Sequence, residues 1–226
     1  MAGPEAIVEP LQVLIASTSN GIRVVAEDRL DVVVDGNAEV ERQRDALTIQ
    51  STRGRLEVRV PEGSDVVIGT TSARVDVLGK IGELAVTTES GRVTVEAAKS
   101  VDARSRNGRV QLGDIDGDCR ARSKTGRITV ASCASADVAT ATGAINLDSV
   151  DGNVRAHCVN GRIDIVMSTA HDVSAESVTG RIDISLPRGA NVLRLTEFTG
   201  EHVDRDQFDC VIDARSSTGR VSVSER

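Results

Sequence analysis

Apolar and polar residues alternate along most of this chain, and the alternation restarts after a series of regularly spaced glycines. Aliphatic residues stand two and four positions after each glycine, as Val93 and Val95 do after Gly91. Such alternation predicts strands with one buried face. The same two positions hold Leu56/Val58, Val75/Val77, Val93/Val95, Val110/Leu112, Ile128/Val130, Ile145/Leu147, Ile163/Ile165, Ile182/Ile184 and Val221/Val223.

A second set of inward positions lies seven, five and three residues before the glycine. Small residues recur at the position closest to the turn, which indicates that space is short there. The members are Leu84, Val86 and Thr88; Val101, Ala103 and Ser105; Cys119, Ala121 and Ser123; Val154, Ala156 and Cys158; Ile212, Ala214 and Ser216.

The glycines mark an internal repeat of about 17 to 20 residues. They are Gly54, Gly91, Gly108, Gly126, Gly143, Gly161, Gly180, Gly200 and Gly219, and Gly21 and Gly36 mark weaker copies. A glycine at the turn supplies a left-handed backbone conformation that is costly for other residues. Ala73 replaces the glycine in one repeat, and we expect it to strain or reshape its turn.

The repeat predicts an all-β fold, specifically a parallel β-solenoid (β-helix) of about 11 to 12 coils with a period near 18 residues. Residues 17–226 form a single solenoid domain, and residues 1–16 form an N-terminal cap or tail. An antiparallel repeat sheet is the alternative, because turn signals such as GDIDGD also occur in the middle of repeats. An antiparallel sandwich, however, does not require its repeats to share one period and one register, whereas a solenoid does.

Composition supports layers of similar aliphatic side chains. The 226 residues include no Trp, no Tyr and two Phe. Four cysteines without CxxC spacing predict buried, reduced thiols. The N-terminal sequence has no basic region before its short apolar run, and no segment has 18 uninterrupted apolar residues. We therefore expect a cytoplasmic protein without a membrane span.

The segments TESGRVTV, SRNGRVQL, SKTGRITV, SVTGRIDISLP and SSTGRVSV resemble the bacterial putative-adhesin β-strand-repeat family, a domain of unknown function. Its members repeat a similar S-x-T-G-x-I/V-x-V unit. The resemblance implies a β-solenoid with a non-enzymatic surface or scaffolding role. The coil length also resembles that of bactofilins, which are cytoskeletal β-helices that polymerise end to end.

A basic segment stands out in a chain of net charge -7. Its cations could bind a polyanion such as an acidic polymer or an anionic lipid surface. The shortage of aromatic residues argues against nucleic-acid recognition, since bases stack on aromatic platforms. The candidate residues are Arg104, Arg106, Arg109, Arg120, Arg122, Lys124 and Arg127.

An arginine also follows most of the repeat glycines, on the solvent side of the strand. Acids at the next outward position should pair with it and offset the repulsion between stacked arginines. These acids are Glu57, Asp76, Asp164 and Asp183.

No residues predict catalysis, a metal site or a cofactor. The aspartates of GDIDGD lack the rest of a calcium loop and indicate a turn. His157, His171 and His202 accompany no nucleophile motif. A carbohydrate-active solenoid enzyme is a remote alternative, which would need carboxylates and aromatics on long loops.

The predicted partners are proteins or further copies of this chain, bound at the ends of the solenoid. Open solenoid ends expose unpaired backbone groups that can pair with another chain. The C-terminal repeat ends almost where the chain ends, so we expect self-association there. The candidate interface residues are Phe198, Phe208, Val221 and Val223.

Overall fold

A computed structural model describes residues 12–19, 21–43, 46–194 and 207–226. These residues form β-strands and turns, and they contain no α-helix. The chain divides into two compact units, Met1–Asp116 and Gly117–Arg226. The strands are β1 (Gln12–Ser19), β2 (Ile22–Glu27), β3 (Val33–Asp35), β4 (Glu39–Gln43), β5 (Ala46–Ser51), β6 (Leu56–Pro61), β7 (Asp65–Ser72), β8 (Val75–Val150), β9 (Val154–Met167), β10 (Val173–Leu186), β11 (Val192–Arg194), β12 (Cys210–Thr218) and β13 (Val221–Glu225).

Strands from different repeats pair in parallel, as the shared period and register of the repeats predicted. In the second unit Ala136 of β8 pairs with Val154 of β9, and Val154 pairs with Val173 of β10. In the first unit Val66 of β7 pairs with Leu84 of β8. The antiparallel pairs among the described strands are β3 with β6 and β4 with β5.

The first strand of the chain lies inside the sheet of the first unit. Val13 of β1 pairs with Leu47 of β5 on one side and with Val66 of β7 on the other. Residues 12–16, which the repeat pattern assigned to a cap or tail, therefore belong to the sheet. The antiparallel strands β3 and β4 follow in sequence and cover β6 and β5.

The second unit shows a similar insertion near its last repeat. Strand β12 pairs with β10 on one side and with β11 on the other. The predicted open face of the C-terminal repeat is thus covered at the start of β12, because Val192 of β11 pairs with Cys210. Strand β13 pairs with β10.

Both predicted sets of inward residues are buried, with few exceptions. The residues two and four positions after the turn are at most 3% exposed from Leu56 to Ile184. Val221 and Val223 are half-buried, and so is Ser216 of the second set. Because the buried side chains are aliphatic or small, the hydrophobic effect stabilises every repeat in the same way.

The repeat glycines stack directly on one another, and this contact explains why glycine is needed. A Cβ atom on Gly161 would overlap the carbonyl oxygen of Gly143. The φ angle of Gly161 is +152°, positive as predicted but close to extended. The same overlap would occur at Gly91, Gly108, Gly143, Gly180 and Gly219. Ala73, which is buried, lies between the end of β7 and the start of β8.

We predict that Gly161→Ala destabilises the protein by about 3 kcal/mol, because the backbone of two repeats must separate to admit the methyl group. Urea unfolding followed by circular dichroism measures the loss. The matched control is Gly69→Ala, where an added Cβ meets no atom within 4 Å. Equal stabilities of the two variants would contradict the stacking argument.

Candidate functional site

The arginines that follow the turn position of each repeat form a row, here called the arginine row. In three repeats this arginine binds the acid two residues further along the chain, as predicted. Arg74 Nε lies 2.8 Å from Asp76, and Arg162 Nε lies 2.7 Å from Asp164. Arg181 binds Asp183 in the same way. Residues two apart share a face of a strand, so the spacing itself brings the charges together. Glu57 differs from the prediction, because it binds Arg59 at 3.1 Å instead of Arg55.

Three other arginines of the row have no acid two residues further along the chain. Thr94, Gln111 and Thr129 occupy the position two residues after Arg92, Arg109 and Arg127. All three arginines are exposed. They take part in none of the ion pairs within the described residues.

The predicted basic residues fall into both units. In the first unit Arg104, Arg106 and Arg109 are exposed, and Arg104 binds Asp102 at 2.9 Å. In the second unit Arg120, Arg122, Lys124 and Arg127 are exposed, and Arg122 lies 3.4 Å from Asp137. The remaining five carry no ion pair in the part of the chain that the structure describes. Two of the seven charges are therefore offset.

Two acids of the GDIDGD segment, Asp116 and Asp118, bind residues outside this basic set. Asp116 binds Lys80 at 2.7 Å within the first unit. Asp118 accepts a hydrogen bond of 2.6 Å from the Ser135 hydroxyl in the second unit. The partners of Arg104 and Arg122 come instead from Asp102 and Asp137, which lie outside the basic segment of the sequence.

A groove of about 550 Å³ in the second unit has four carboxylates and two arginines in its lining. Asp172 accepts a hydrogen bond of 2.9 Å from the Val211 amide, and Asp213 binds Arg215 at 2.8 Å. Asp118 and Asp137 have the partners named above. Across the described residues, no group of three or more His, Cys, Asp or Glu side chains could hold a metal ion.

The four cysteines are buried, as predicted, and each has a free thiol in this structure. Cys119 and Cys133 contact each other through their thiols. The hydrogen bond to Cys133 and burial raise the pKa of Cys119, whereas the same hydrogen bond lowers the pKa of Cys133. Burial raises the pKa of Cys158 and of Cys210.

The predicted interface residues lie close to the C-terminus, and three of them can be described. Phe208, Val221 and Val223 are half-buried. Phe198 lies outside the described residues. His157 is exposed with Nδ1 3.5 Å from Glu176, and His171 is exposed, whereas His202 is not among the described residues.

Parallel strands of glycine-marked repeats, with buried aliphatic rows and charged outer rows, define an all-β repeat protein. The chain belongs to the Toastrack DUF4097 family, whose model matches residues 13–198. It is also similar to a solved structure, a "putative cell adhesion protein" from Clostridium sporogenes, with 11% identity and a TM-score of 0.23 over 99% of this chain and 100% of the other. The curated proteins contain no match. The described residues include no helix with the length and apolar character that a membrane span needs.

We predict that the folded chain reacts with a disulfide reagent such as DTNB roughly a hundredfold more slowly than the chain in concentrated urea, because buried thiols react through local opening. Absorbance at pH 8 follows the reaction. Any thiol that reacts early should be Cys133, the one whose pKa is lowered. If a thiol of the folded Cys133→Ala variant still reacted quickly with DTNB, Cys133 could not be the first thiol to react.

Proposed function

We propose that the repeats form a parallel β-solenoid within each unit. The paired residues support this interpretation, since Ala136, Val154 and Val173 follow one another at intervals of 18 and 19 residues. Stacked glycines hold the turns at the same register. A solenoid derives its stability from contacts between neighbouring repeats, because one repeat cannot bury its own apolar face.

We infer that the protein is a non-enzymatic, adhesin-like interaction protein. One observation carries this proposal: outward positions of successive repeats align in register, so that Arg162 and Asp164 stand beside Arg181 and Asp183. Like side chains then recur at the strand spacing of about 4.8 Å. Such a surface suits the binding of a repetitive partner. Location in the cytoplasm and likeness to bactofilins stay predictions.

An adhesin-like protein should bind a surface without altering it. We expect fluorescently labelled chain to adsorb saturably to bacterial cell envelopes and to release no reducing sugar from acidic polysaccharides. Sedimentation of the envelopes measures binding, and a reducing-end assay measures cleavage. Cleavage that increases in proportion to the concentration of the chain would contradict the proposal and favour the carbohydrate-active alternative.

Polyanion binding is the second candidate function, and unpaired cations favour it. Arg120, Lys124 and Arg127 are exposed and free of ion pairs among the described residues of the second unit. In the first unit Arg106 and Arg109 share both properties. Cations without carboxylate partners contribute most to polyanion affinity, because no intramolecular bond has to break. Arg104 and Arg122, which do have partners, should contribute less.

We predict that Arg120→Gln, Lys124→Gln and Arg127→Gln together lower retention on immobilised heparin, with elution at about half the salt concentration of the parent. A matched control replaces three paired arginines of the same unit, Arg162, Arg181 and Arg215, by Gln. Both variants lose three positive charges. They differ only in whether the cations that are lost had carboxylate partners.

Equal elution of the two triple variants would show that net charge alone sets the retention. Unchanged elution of the first variant would exclude these three residues from binding.

Self-association through an end of the repeat array stays a prediction, and the structure favours the predicted C-terminal residues over the other edge of the sheet. The edge strand β4 is exposed and has the sequence EVERQ. Charged edge strands resist pairing with another chain. Val221 and Val223 of β13 are the better candidates, because they are only half-buried and β13 has one pairing partner, β10, among the described strands.

A further inference from the structure

In the first unit, Gly21 occupies a position of the arginine row where the neighbouring repeats have arginine. Ile22 of β2 pairs with Leu56 of β6 on one side and with Val75 of β8 on the other. The residues before them are therefore neighbours in one row, in the order Arg55, Gly21, Arg74. Two backbone hydrogen bonds hold this order, from Ile22 N to Arg74 O at 2.8 Å and from Leu56 N to Gly21 O at 3.0 Å.

This register corrects the sequence alignment by one position. The motif TSNGIRV aligned Gly21 with the turn glycines, whereas the pairing places Gly21 where the repeats have arginine. Gly21 is also unlike the stacked glycines in its surroundings. An added Cβ would meet only Arg74 O, at 3.9 Å, and the φ angle lies outside the left-handed region. The backbone would therefore accept a side chain at this position.

Gly21 lines a groove of about 710 Å³ in the first unit. Arg55 and Arg74 flank its floor at Gly21, two strand spacings or about 9.6 Å apart along the sheet. Arg23 and Thr94 contribute further polar side chains to the lining. This volume is typical of sites for small molecules.

The charges lining the groove are unbalanced. Three arginines, Arg23, Arg55 and Arg74, face a single carboxylate, that of Asp76. Asp76 already binds Arg74 Nε.

The nearby carboxylate of Glu57 does not restore the balance. Glu57 pairs with Arg23 in strand register, but its side chain binds Arg59 at 3.1 Å. Arg23 and Arg55 form no ion pair within the described residues, so the groove has an excess of two positive charges.

We propose that this groove binds a small soluble molecule that carries a phosphate monoester group. Guanidinium groups bind phosphate oxygens through paired, charge-assisted hydrogen bonds. A phosphate monoester carries nearly two negative charges at neutral pH, which matches the excess charge of the lining. The phosphate lies over Gly21, in the groove that Arg23, Arg55 and Arg74 line. This site is independent of the unpaired cations proposed to bind polyanions.

Glycerol 3-phosphate, titrated into the full chain by calorimetry, tests the proposal. We expect saturable binding that glycerol does not reproduce and that inorganic phosphate competes. Gly21→Gln should weaken the binding at least about tenfold by filling the groove, without lowering the midpoint of urea unfolding. Arg55→Gln should weaken it by a similar factor, and it serves as the second variant if Gly21→Gln proves unstable.

Two controls separate this site from general charge effects and from lipid binding. Arg162→Gln with Arg181→Gln removes two cations of the second unit and should leave the affinity unchanged. Vesicles containing phosphatidic acid present the same phosphate group on a membrane, and soluble glycerol 3-phosphate should compete with any binding to them. No binding of the soluble ligand, or equal affinity in Gly21→Gln, would overturn the proposal.

Discussion

Contact between the backbones of stacked glycines is the constraint on which the rest of the structure depends. The carbonyl oxygen of Gly143 occupies the space that a Cβ of Gly161 would need, and the same relation continues from Gly161 to Gly180. Neighbouring repeats can approach this closely only if the later one lacks a side chain at the turn, since Gly91 makes the same contact with the carbonyl oxygen of Ala73. The contact therefore fixes the register of the flanking strands, and the register decides which side chains are buried. Small residues beside the turn follow from the same shortage of space: Ser216 Oγ donates to Gly180 O at 2.9 Å.

The edge of the sheet in the first unit is built differently from its interior, because parallel strands at an edge would otherwise expose unpaired backbone groups. Strand β1 lies between β5 and β7, so an N-terminal strand becomes an internal one. The charged antiparallel strand β4 then provides the edge. Insertion has a kinetic consequence, because β1 can complete its pairing only with strands formed from residues far along the chain. Contacts of such sequence separation slow folding, since closing long loops costs chain entropy.

The buried rows could be predicted from the sequence, because alternation and spacing are local properties. The order of the strands could not, since all repeats have the same pattern and nothing in the sequence places Val13 between Leu47 and Val66. The one-residue shift at Gly21 was missed for the same reason: a glycine in a weakened copy looks like a turn glycine. The ion pairs of the basic residues could not be predicted from the basic segment alone, because the partners Asp102 and Asp137 lie outside it.

Function in this protein has to reside in the outward positions, because the inward ones are nearly uniform. Where an acid stands two residues after the arginine, as in the pair Arg162 and Asp164, the outer face is locally neutral. Where threonine or glutamine replaces the acid, as after Arg92 and Arg109, the face keeps its positive charge. A chain of net charge -7 can therefore present cationic surfaces, since charge is distributed repeat by repeat. At Gly21 the row lacks a side chain, and this position lines a groove together with the neighbouring Arg55 and Arg74.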